Sequence, residues 1–287
     1  MIYLQYKNQW GTISISNRVT DRWRATAITG LGYPGREFST VTYYGVDGQR
    51  TTSTRLTPRT ITISGDIQNF GGMQHEISRA IEILHFPGTL TVSAGGRRRS
   101  AQCRCSSFEN TERNRVVEQF VMQLIADDPN FYDVELTCQD IFGEQDLVQD
   151  SFTLPCVFTR RINQAAVVNR GYTNLEPVIR IYCQEEEAGA AARSGEMGIS
   201  VENLTTGATI ALTKQMENGE TITIDVKNRA VLSSVVGDIT GLLSPDSFLD
   251  QFYLVPGPNE IQTLSSSSGV SVWATCEYYN TYLEAVY

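Results

Sequence analysis

A single helical pattern, set in a chain that otherwise alternates in the manner of β-strands, most constrains how this sequence can fold. Before it, a strand that begins at Arg59 places Ile61 and Ile63 on one face and threonines on the other. After a glycine turn, apolar residues recur at helical spacing, namely Met73, Ile77, Ala80, Ile81 and Leu84. The sequence therefore predicts a helix over about residues 72–86, ended by Pro87 and packed on a sheet.

Composition and length predict a mainly β protein with two domains. Charged residues make up 19% of the 287 residues, below the usual ~25%, and Thr, Ser and β-branched residues take their place. Domains cluster around ~100 to 150 residues. We therefore expect an N-terminal α+β domain over residues 1–147 and a second domain over 148–287, with a short polar seam between them.

Regular short strands separated by turns fill the second predicted domain, as is typical of an antiparallel β-sandwich. The predicted strands span residues 151–158, 165–169, 178–183, 198–203, 209–212, 220–226, 230–234 and 248–254. Residues 185–197, which are acidic and rich in alanine, interrupt this series and predict a mobile loop. The charged residues of this loop are a candidate docking arm, with a merely solvated loop as the alternative; they are Glu185, Glu186, Glu187 and Arg193.

The distribution of charge argues against nucleic-acid binding. The net charge of −9 divides into −1 before residue 148 and −8 from there onward. Neutralising phosphates requires a basic surface, so we expect no direct nucleic-acid partner. Of the 23 basic residues 20 are Arg, which suits protein interfaces through its planar fork of donors, although a genome that prefers Arg codons explains this equally well.

We expect neither secretion nor membrane insertion. The first ten residues lack the apolar core of a signal peptide, and no run approaches the ~20 apolar residues of a membrane span. Six cysteines are too sparse for a disulfide framework, so free thiols in a reducing compartment are predicted.

Candidate catalytic, metal and cofactor residues do not form a readable arrangement. Residues 30–35 formally match GxGxxG, but a β-rich run follows where a dinucleotide site needs a helix. His75 and His85 are ten residues apart and near no nucleophile motif. Asp127 and Asp128 are better explained as turn caps than as an acid/base pair. We therefore predict no cofactor, no metal and no enzymatic activity.

Three surface features remain as candidate binding residues. Residues 49–57 predict an exposed polar loop, in which Arg50 and Arg55 are candidate contacts with another subunit or protein. A tight basic turn carries three consecutive arginines that could hold phosphate, pair with a partner's carboxylates or stand in solvent; they are Arg97, Arg98 and Arg99. Trp273 is a candidate glycan contact by stacking, with a core or interface role as the alternative.

The order of several motifs resembles the distal tail proteins of siphophages, the siphovirus-type tail component family. In the N-terminal half these motifs are the polar loop, the strand ITISGDI at 61–67, the single helix, the turn at 95–97 and the DPNFY turn at 128–132. In the C-terminal half they are NRG at 169–171, PVIRIY at 177–182, ENLTTG at 202–207, GETITID at 219–225 and LVPGPNE at 254–260. Each motif is a strand with a turn, so the resemblance lies in their order and spacing across nearly the whole chain.

This resemblance implies a structural virion protein. It implies an N-terminal domain that forms a hexameric ring joining the tail tube to the tail-tip protein, and a galectin-like sandwich that serves as a platform for receptor-binding or accessory proteins. It also implies localisation in the phage tail tip after assembly in the host cytoplasm. The residues with which galectins hold galactosides have no counterpart here, because the C-terminal half contains no histidine. A carbohydrate-binding sandwich for host-surface recognition remains the alternative function.

Overall fold

The computed structural model describes residues 1–68, 71–112, 116–141, 143–146, 159–185, 198–214, 216–217, 219–265 and 270–285. The chain divides into two compact units. Unit 1 comprises Met1–Val134 together with Thr281–Tyr287, and unit 2 comprises Glu135–Asn280. The division thus lies before the predicted seam at residue 147, and the last residues return to unit 1.

The elements are given in chain order. The first half contains β1 Ile2–Asn8, β2 Gly11–Ser16, β3 Trp23–Thr29, β4 Arg36–Val41, β5 Arg50–Leu56, β6 Arg59–Gln68, α1 Met73–Leu84, β7 Gly88–Ala94, β8 Arg97–Glu112, β9 Val117–Ala126 and β10 Phe131–Asp133. Then follow β11 Thr137–Ile141, β12 Gly143–Asp146, β13 Thr159–Ile162, β14 Gln164–Asn169, β15 Val178–Glu185, β16 Ile199–Asn203, β17 Ala208–Leu212, β18 Thr221–Asp225 and β19 Ala230–Ser233. The remainder contains β20 Gly237–Asp238, two 3₁₀ turns at Thr240–Leu242 and Leu249–Gln251, β21 Gly257–Ser265, β22 Val270–Tyr278 and β23 Thr281–Tyr282.

Unit 1 is a barrel. Strands pair in the order β23-β10-β8-β7-β1-β2-β3-β6-β9, and the further pairing of β8 with β9 closes the ring of strands. Strand β6 alternates buried and partly exposed residues along its length, with Ile61, Ile63 and Ile67 fully buried. This is the alternation that the sequence predicts, and it lines the barrel core.

The predicted helix is present, and among the described residues it is the single α-helix. Its apolar stripe is buried through Met73, Ile77, Ala80, Ile83 and Leu84, whereas Ile81 is exposed. The chain turns into the helix through glycines at 71 and 72, whose φ angles of 98° and 73° disfavour other residues. The side-chain amide of Asn8 donates to the carbonyl of Ile83 at 2.7 Å, satisfying one of the groups that a helix end leaves unpaired.

Close packing explains the glycine within the ITISGDI strand. A Cβ added at Gly65 would lie 2.1 Å from the Arg24 carbonyl oxygen and 2.7 Å from the Phe120 ring. The ring of Trp23 packs edge-on against Phe120 with their centroids 5.1 Å apart. A side chain at Gly65 would therefore separate β6 from both β3 and β9 at the point where the aromatic core is formed.

Unit 2 is a β-sandwich. One sheet has the order β11-β22-β15-β18-β19-β20, the other β14-β21-β16-β17, and β12 pairs separately with β13. Both sheets contribute fully buried side chains to one core. Members from the larger sheet include Ile179, Ile181, Ile222 and Ile224, and members from the smaller sheet include Val201, Ile210 and Ile261. The predicted fold class, mainly β with one helix and a sandwich, is confirmed.

Three buried asparagines fix the turns of the sandwich, and they lie in the motifs NRG, ENLTTG and LVPGPNE. Asn169, Asn203 and Asn259 are 2%, 0% and 0% exposed. Each accepts a backbone N–H through its side-chain oxygen and donates its amide to backbone carbonyls. Because each amide satisfies otherwise unpaired backbone groups, these motifs have a structural reason of their own.

The sequence does not predict the strands β21 and β22, and two of the predicted segments differ from the structure. Residues 49–57, predicted as a loop, contain β5, which pairs with β4. Its polar residues fill both faces, so no apolar parity marks it as a strand. Residues 248–254, predicted as a strand, contain a 3₁₀ turn, because Leu249 and Phe252 are buried three residues apart. The predicted strand at 151–158 lies outside the described residues.

Candidate functional site

Among the described residues we searched for clusters that could hold a metal ion and for reactive thiols. No group of three or more His, Cys, Asp or Glu side chains in this part of the chain could hold a metal ion. Burial raises the pKa of the Cys103 thiol to about 12 and also raises the pKa of Cys276, which disfavours the reactive thiolate. No helix among the described residues is long and apolar enough to cross a membrane.

The glycine-rich segment at residues 30–35 and the aspartate Asp128 have structural roles in unit 1. The carbonyls of Gly30 and Gly32 accept hydrogen bonds from the Arg59 guanidinium. The carboxylate of Asp128 accepts the backbone N–H of Asn130 at 3.0 Å and the hydroxyl of Tyr132. The glycines therefore turn backbone carbonyls towards an arginine, and Asp128 caps a turn as predicted.

The most unusual surface of unit 1 is the β4–β5 hairpin. Every side chain of β4 is exposed, and in β5 all but the half-buried Leu56 are exposed. Cross-strand contacts are an ion pair between Arg55 and Glu37, with a nitrogen–oxygen distance of 2.6 Å, and a bond from the Thr52 hydroxyl to the Ser39 carbonyl. A two-stranded hairpin without a buried face is only marginally stable by itself.

The hairpin also exposes large apolar side chains. These are Phe38 and Val41 on β4, and Tyr43, Tyr44 and Val46 in the turn. Tyr44 is 107% exposed, so nothing in the described part of the chain covers it. At the base, the Arg36 guanidinium lies 5.3 Å from the centre of the Tyr33 ring. A hairpin that combines aromatic and arginine side chains has the composition of a protein interface.

Arg50 and Arg55 lie on this hairpin, and both are exposed. Arg50 is opposite Val41 near the turn, whereas Arg55 is opposite Glu37 near the base. The structure thus brings the two predicted contact residues onto one strand, where they lie on a defined hairpin instead of a loop.

The three arginines of the basic turn lie in different environments. Arg97 and Arg98 are exposed, whereas Arg99 is 4% exposed. The Arg99 guanidinium donates to the carbonyl and the carboxylate of Glu284 and lies 3.6 Å from the centre of the Tyr282 ring. Because these contacts occupy it inside unit 1, Arg99 holds the C-terminal segment and does not present its charge to a partner. Charge alone could not distinguish it from its two neighbours.

A second buried arginine, which sequence reasoning did not single out, holds the same segment. Arg59 is 3% exposed and donates to the carbonyls of Leu283 and Pro129 at 2.6 and 2.8 Å. Burial lowers the pKa of its guanidinium to about 10, while the charge of Glu284 opposes this shift. The signal that could have found it is its position at the start of a strand whose alternation places Arg59 on the buried face with Ile61.

Trp273 lies on β22 in unit 2, where it is 41% exposed. Its ring stacks on that of Tyr182, with centroids 4.3 Å apart and planes 20° apart. The candidate docking arm cannot be placed in the same way: residues 186–197, with Glu186, Glu187 and Arg193, and the side chain of Glu185 lie outside the described residues.

The comparisons with known proteins give one family match and several structural matches. Residues 190–282 match the family model of the siphovirus-type tail component, C-terminal domain. The fold resembles the crystal structure of SPP1 Dit (gp 19.1), described as a paradigm of hub adsorption apparatus in Gram-positive infecting phages. That match has a TM-score of 0.66 and 15% identity, and it covers 97% of this chain and 99% of that chain.

Two further matches are structures of the phage P2 baseplate in its activated conformation. The structure with Ca has a TM-score of 0.47 and 10% identity, covering 96% of this chain and 98% of that chain. The structure with Sr has a TM-score of 0.45 and 9% identity, covering 97% and 98%. No curated protein matches the sequence. At 15% identity, the SPP1 Dit match establishes the fold.

Proposed function

We propose that this protein is a distal tail protein of a siphovirus-type bacteriophage, a structural subunit of the tail tip. The family match over residues 190–282 and the fold shared with SPP1 Dit over nearly the whole chain support this assignment. In this role the protein is a scaffold and not an enzyme.

The observation that carries the proposal is the β4–β5 hairpin, whose strands have no buried face within unit 1. Unpaired strand edges and exposed aromatic side chains are characteristic of surfaces that become covered on association. In our proposal a neighbouring copy of the chain covers the hairpin, and unit 1 assembles into a ring, a hexamer, that continues the tail tube. Arg50 and Arg55 then contact that copy or the tube, and Arg97 and Arg98 lie on the same unit as further contacts.

Charge supports the division of roles between the two parts of the chain. Residues before 148 carry a net charge of −1, which permits close subunit contacts, whereas residues from 148 onward carry −8. Like charge keeps neighbouring sandwiches apart and leaves them as a platform for receptor-binding or accessory proteins. The tail-tip protein, the tail tube protein and the virion location belong to this proposal, which requires neither nucleic acid nor membrane insertion.

Mass measurement of the purified protein tests the proposed ring. We expect a species of several subunits, or one that forms when a tail tube or tail-tip protein is added, and a ring on electron-microscope grids. A strict monomer at high concentration that forms no ring with either partner would contradict the proposal. Because we assign ring formation to unit 1, a variant with changes only in unit 2 should form an assembly with the same number of subunits as the unaltered protein.

A further inference from the structure

The outer face of the larger sheet of unit 2 carries an aromatic pair, Trp273 and Tyr182. These residues are direct neighbours on β22 and β15, and the adjacent residues Ile181 and Ala274 point into the core. The pair therefore stands on the face directed away from the core.

The pair forms a rigid platform. The two rings are nearly parallel at 4.3 Å between centroids, so each restricts the movement of the other. Aromatic side chains have few rotatable bonds, and they lose little conformational entropy when a ligand is bound. The 41% exposed fraction of Trp273 leaves ring surface for such a ligand.

A row of polar residues crosses the same face next to the aromatic pair. The register places Thr275 beside both Arg180 and Asp140, and Arg180 beside Thr223. Arg180 donates to Glu277 at 2.9 Å and to the Thr223 hydroxyl at 3.4 Å. A guanidinium carries five N–H donors, so these two bonds leave further donor capacity, while the exposed carboxylate of Asp140 is an acceptor.

We propose that this face binds a pyranose unit of a neutral glycan. The face of an aromatic ring is electron-rich and attracts the weakly positive C–H groups on the flat apolar side of a sugar ring. Hydroxyl groups at the sugar's edge both donate and accept, and the polar row offers the donor Arg180 on β15 and the acceptor Asp140 on β11, with Thr275 of β22 between them. An aromatic surface beside a few oriented polar groups is the general composition of a small-ligand site.

The charge of this part of the chain selects a neutral ligand. Residues from 148 onward carry twice as many acidic as basic residues, 16 against 8. Glu277 on β22 and Asp140 on β11 also lie on this face, both on the β22 side of Arg180. A polyanionic glycan would be repelled by this field, whereas a neutral one would not. This binding activity goes beyond the proposed structural role and does not depend on it.

Affinity electrophoresis in gels containing soluble neutral polysaccharides, namely dextran, mannan and galactomannan, tests the proposal. We expect at least one of them to retard the full-length protein, and Trp273→Ala to weaken that retardation at least about tenfold. Phe248→Ala, which removes an exposed aromatic ring from another part of unit 2, is the matched control and should bind normally. Trp273→Phe should recover part of the binding because it restores a stacking ring.

Each other outcome overturns the inference. It is wrong if none of the neutral polysaccharides retards the protein, or if Trp273→Ala and Phe248→Ala are retarded equally. It is also wrong if heparin, an anionic glycan, binds through Trp273 more tightly than the neutral polysaccharides do. The same holds if Trp273→Ala binds the polysaccharides normally and loses only the binding of a protein. Thermal unfolding must show that Trp273→Ala remains folded. If it does not, Trp273→Phe provides the test, because it should bind the polysaccharide only in part. The mass of the assembly is measured on the same samples, so failure of glycan binding is separate from failure of the ring.

Discussion

Strands β5 and β15 are held in place in opposite ways. In β15 the alternate residues Ile179 and Ile181 are fully buried in the sandwich core. In β5 no residue is buried, and the strand is held by its pairing with β4 and by the Arg55–Glu37 ion pair. Residues of β15 are thus required by a core within this chain, whereas those of β5 are not, and we propose that they serve assembly instead. Changes to the two kinds of residue should therefore separate folding from assembly.

The largest expected effect comes from the buried arginine of unit 1. We expect Arg59→Met to lower the free energy of unfolding by about 3–5 kcal/mol, because four backbone carbonyls lose their donor. Urea unfolding monitored by hydrogen exchange would show whether the loss of stability lies in unit 1. Arg55→Met, in which the side chain removed is 80% exposed, is the control and should unfold like the unaltered protein. Equal stability of the two variants would show that the buried contacts of Arg59 do not stabilise unit 1.

A buried asparagine gives the next largest effect, in unit 2. Asn203→Ala removes a side chain that donates to the Tyr253 carbonyl at 2.9 Å and accepts the Thr205 N–H at 3.0 Å. We expect a loss of about 2–3 kcal/mol, because backbone groups in a buried turn become unpaired. Denaturant midpoints measure it. The exposed Asn228→Ala serves as control, and a comparable loss there would refute the explanation from burial.

A buried carboxylate makes unit 2 sensitive to acid. Burial opposes ionisation of Glu220, but bonds from Lys214, Ser233 and the Glu217 N–H outweigh it and lower its pKa. With the folded pKa below the unfolded value of about 4.3, ionised Glu220 contributes stability above that pH, and the contribution is lost as the pH falls through the folded pKa.

The Glu220→Gln variant isolates this contribution. We expect it to lose about 1–2 kcal/mol at neutral pH and to unfold with a weaker dependence on pH below about 4.3. Unfolding midpoints collected across the acid range measure both quantities. An unchanged pH profile would show that Glu220 does not carry the acid sensitivity.

The smallest effect on stability is expected for the hairpin. Reversing charge with Arg50→Glu and Arg55→Glu should leave the unfolding midpoint nearly unchanged, because neither side chain is buried. The same double variant should assemble more weakly, which the distribution of oligomer masses at several protein concentrations would measure. Lys227→Glu together with Arg229→Glu makes the same change in net charge at two exposed residues of unit 2 and should assemble normally. If both variants lost assembly equally, net charge and not the hairpin would be responsible.

The sequence predicts best those elements in which burial dictates the residue type. The alternation of Ile61 and Ile63 predicts β6, and the apolar stripe of α1 predicts a helix that the structure contains at Met73–Leu84. The short strands predict the sandwich for the same reason. In each case a periodic apolar face reports which side meets the core.

The sequence predicts poorly where partners far apart in the chain decide the structure. The polar residues of β5 do not reveal that it pairs with β4, and Arg99 differs from Arg98 through its contacts with Glu284 and Tyr282. Similarly, Trp273 is identifiable as a candidate, but its stacking on Tyr182 depends on the register of β15 and β22. Long-range pairing is set by the whole fold, so local patterns cannot supply it.

The most direct test is the mass of the assembly formed by a variant that lacks the β4–β5 hairpin. The Thr57 N–H donates to the Gly35 carbonyl at 2.9 Å, so a short Gly-Ser turn can replace residues 36–56 between these two positions. We predict that this variant unfolds at the same denaturant concentration as the unaltered protein but remains a monomer where the unaltered protein forms a ring. A variant that forms the same ring without the hairpin would contradict the account.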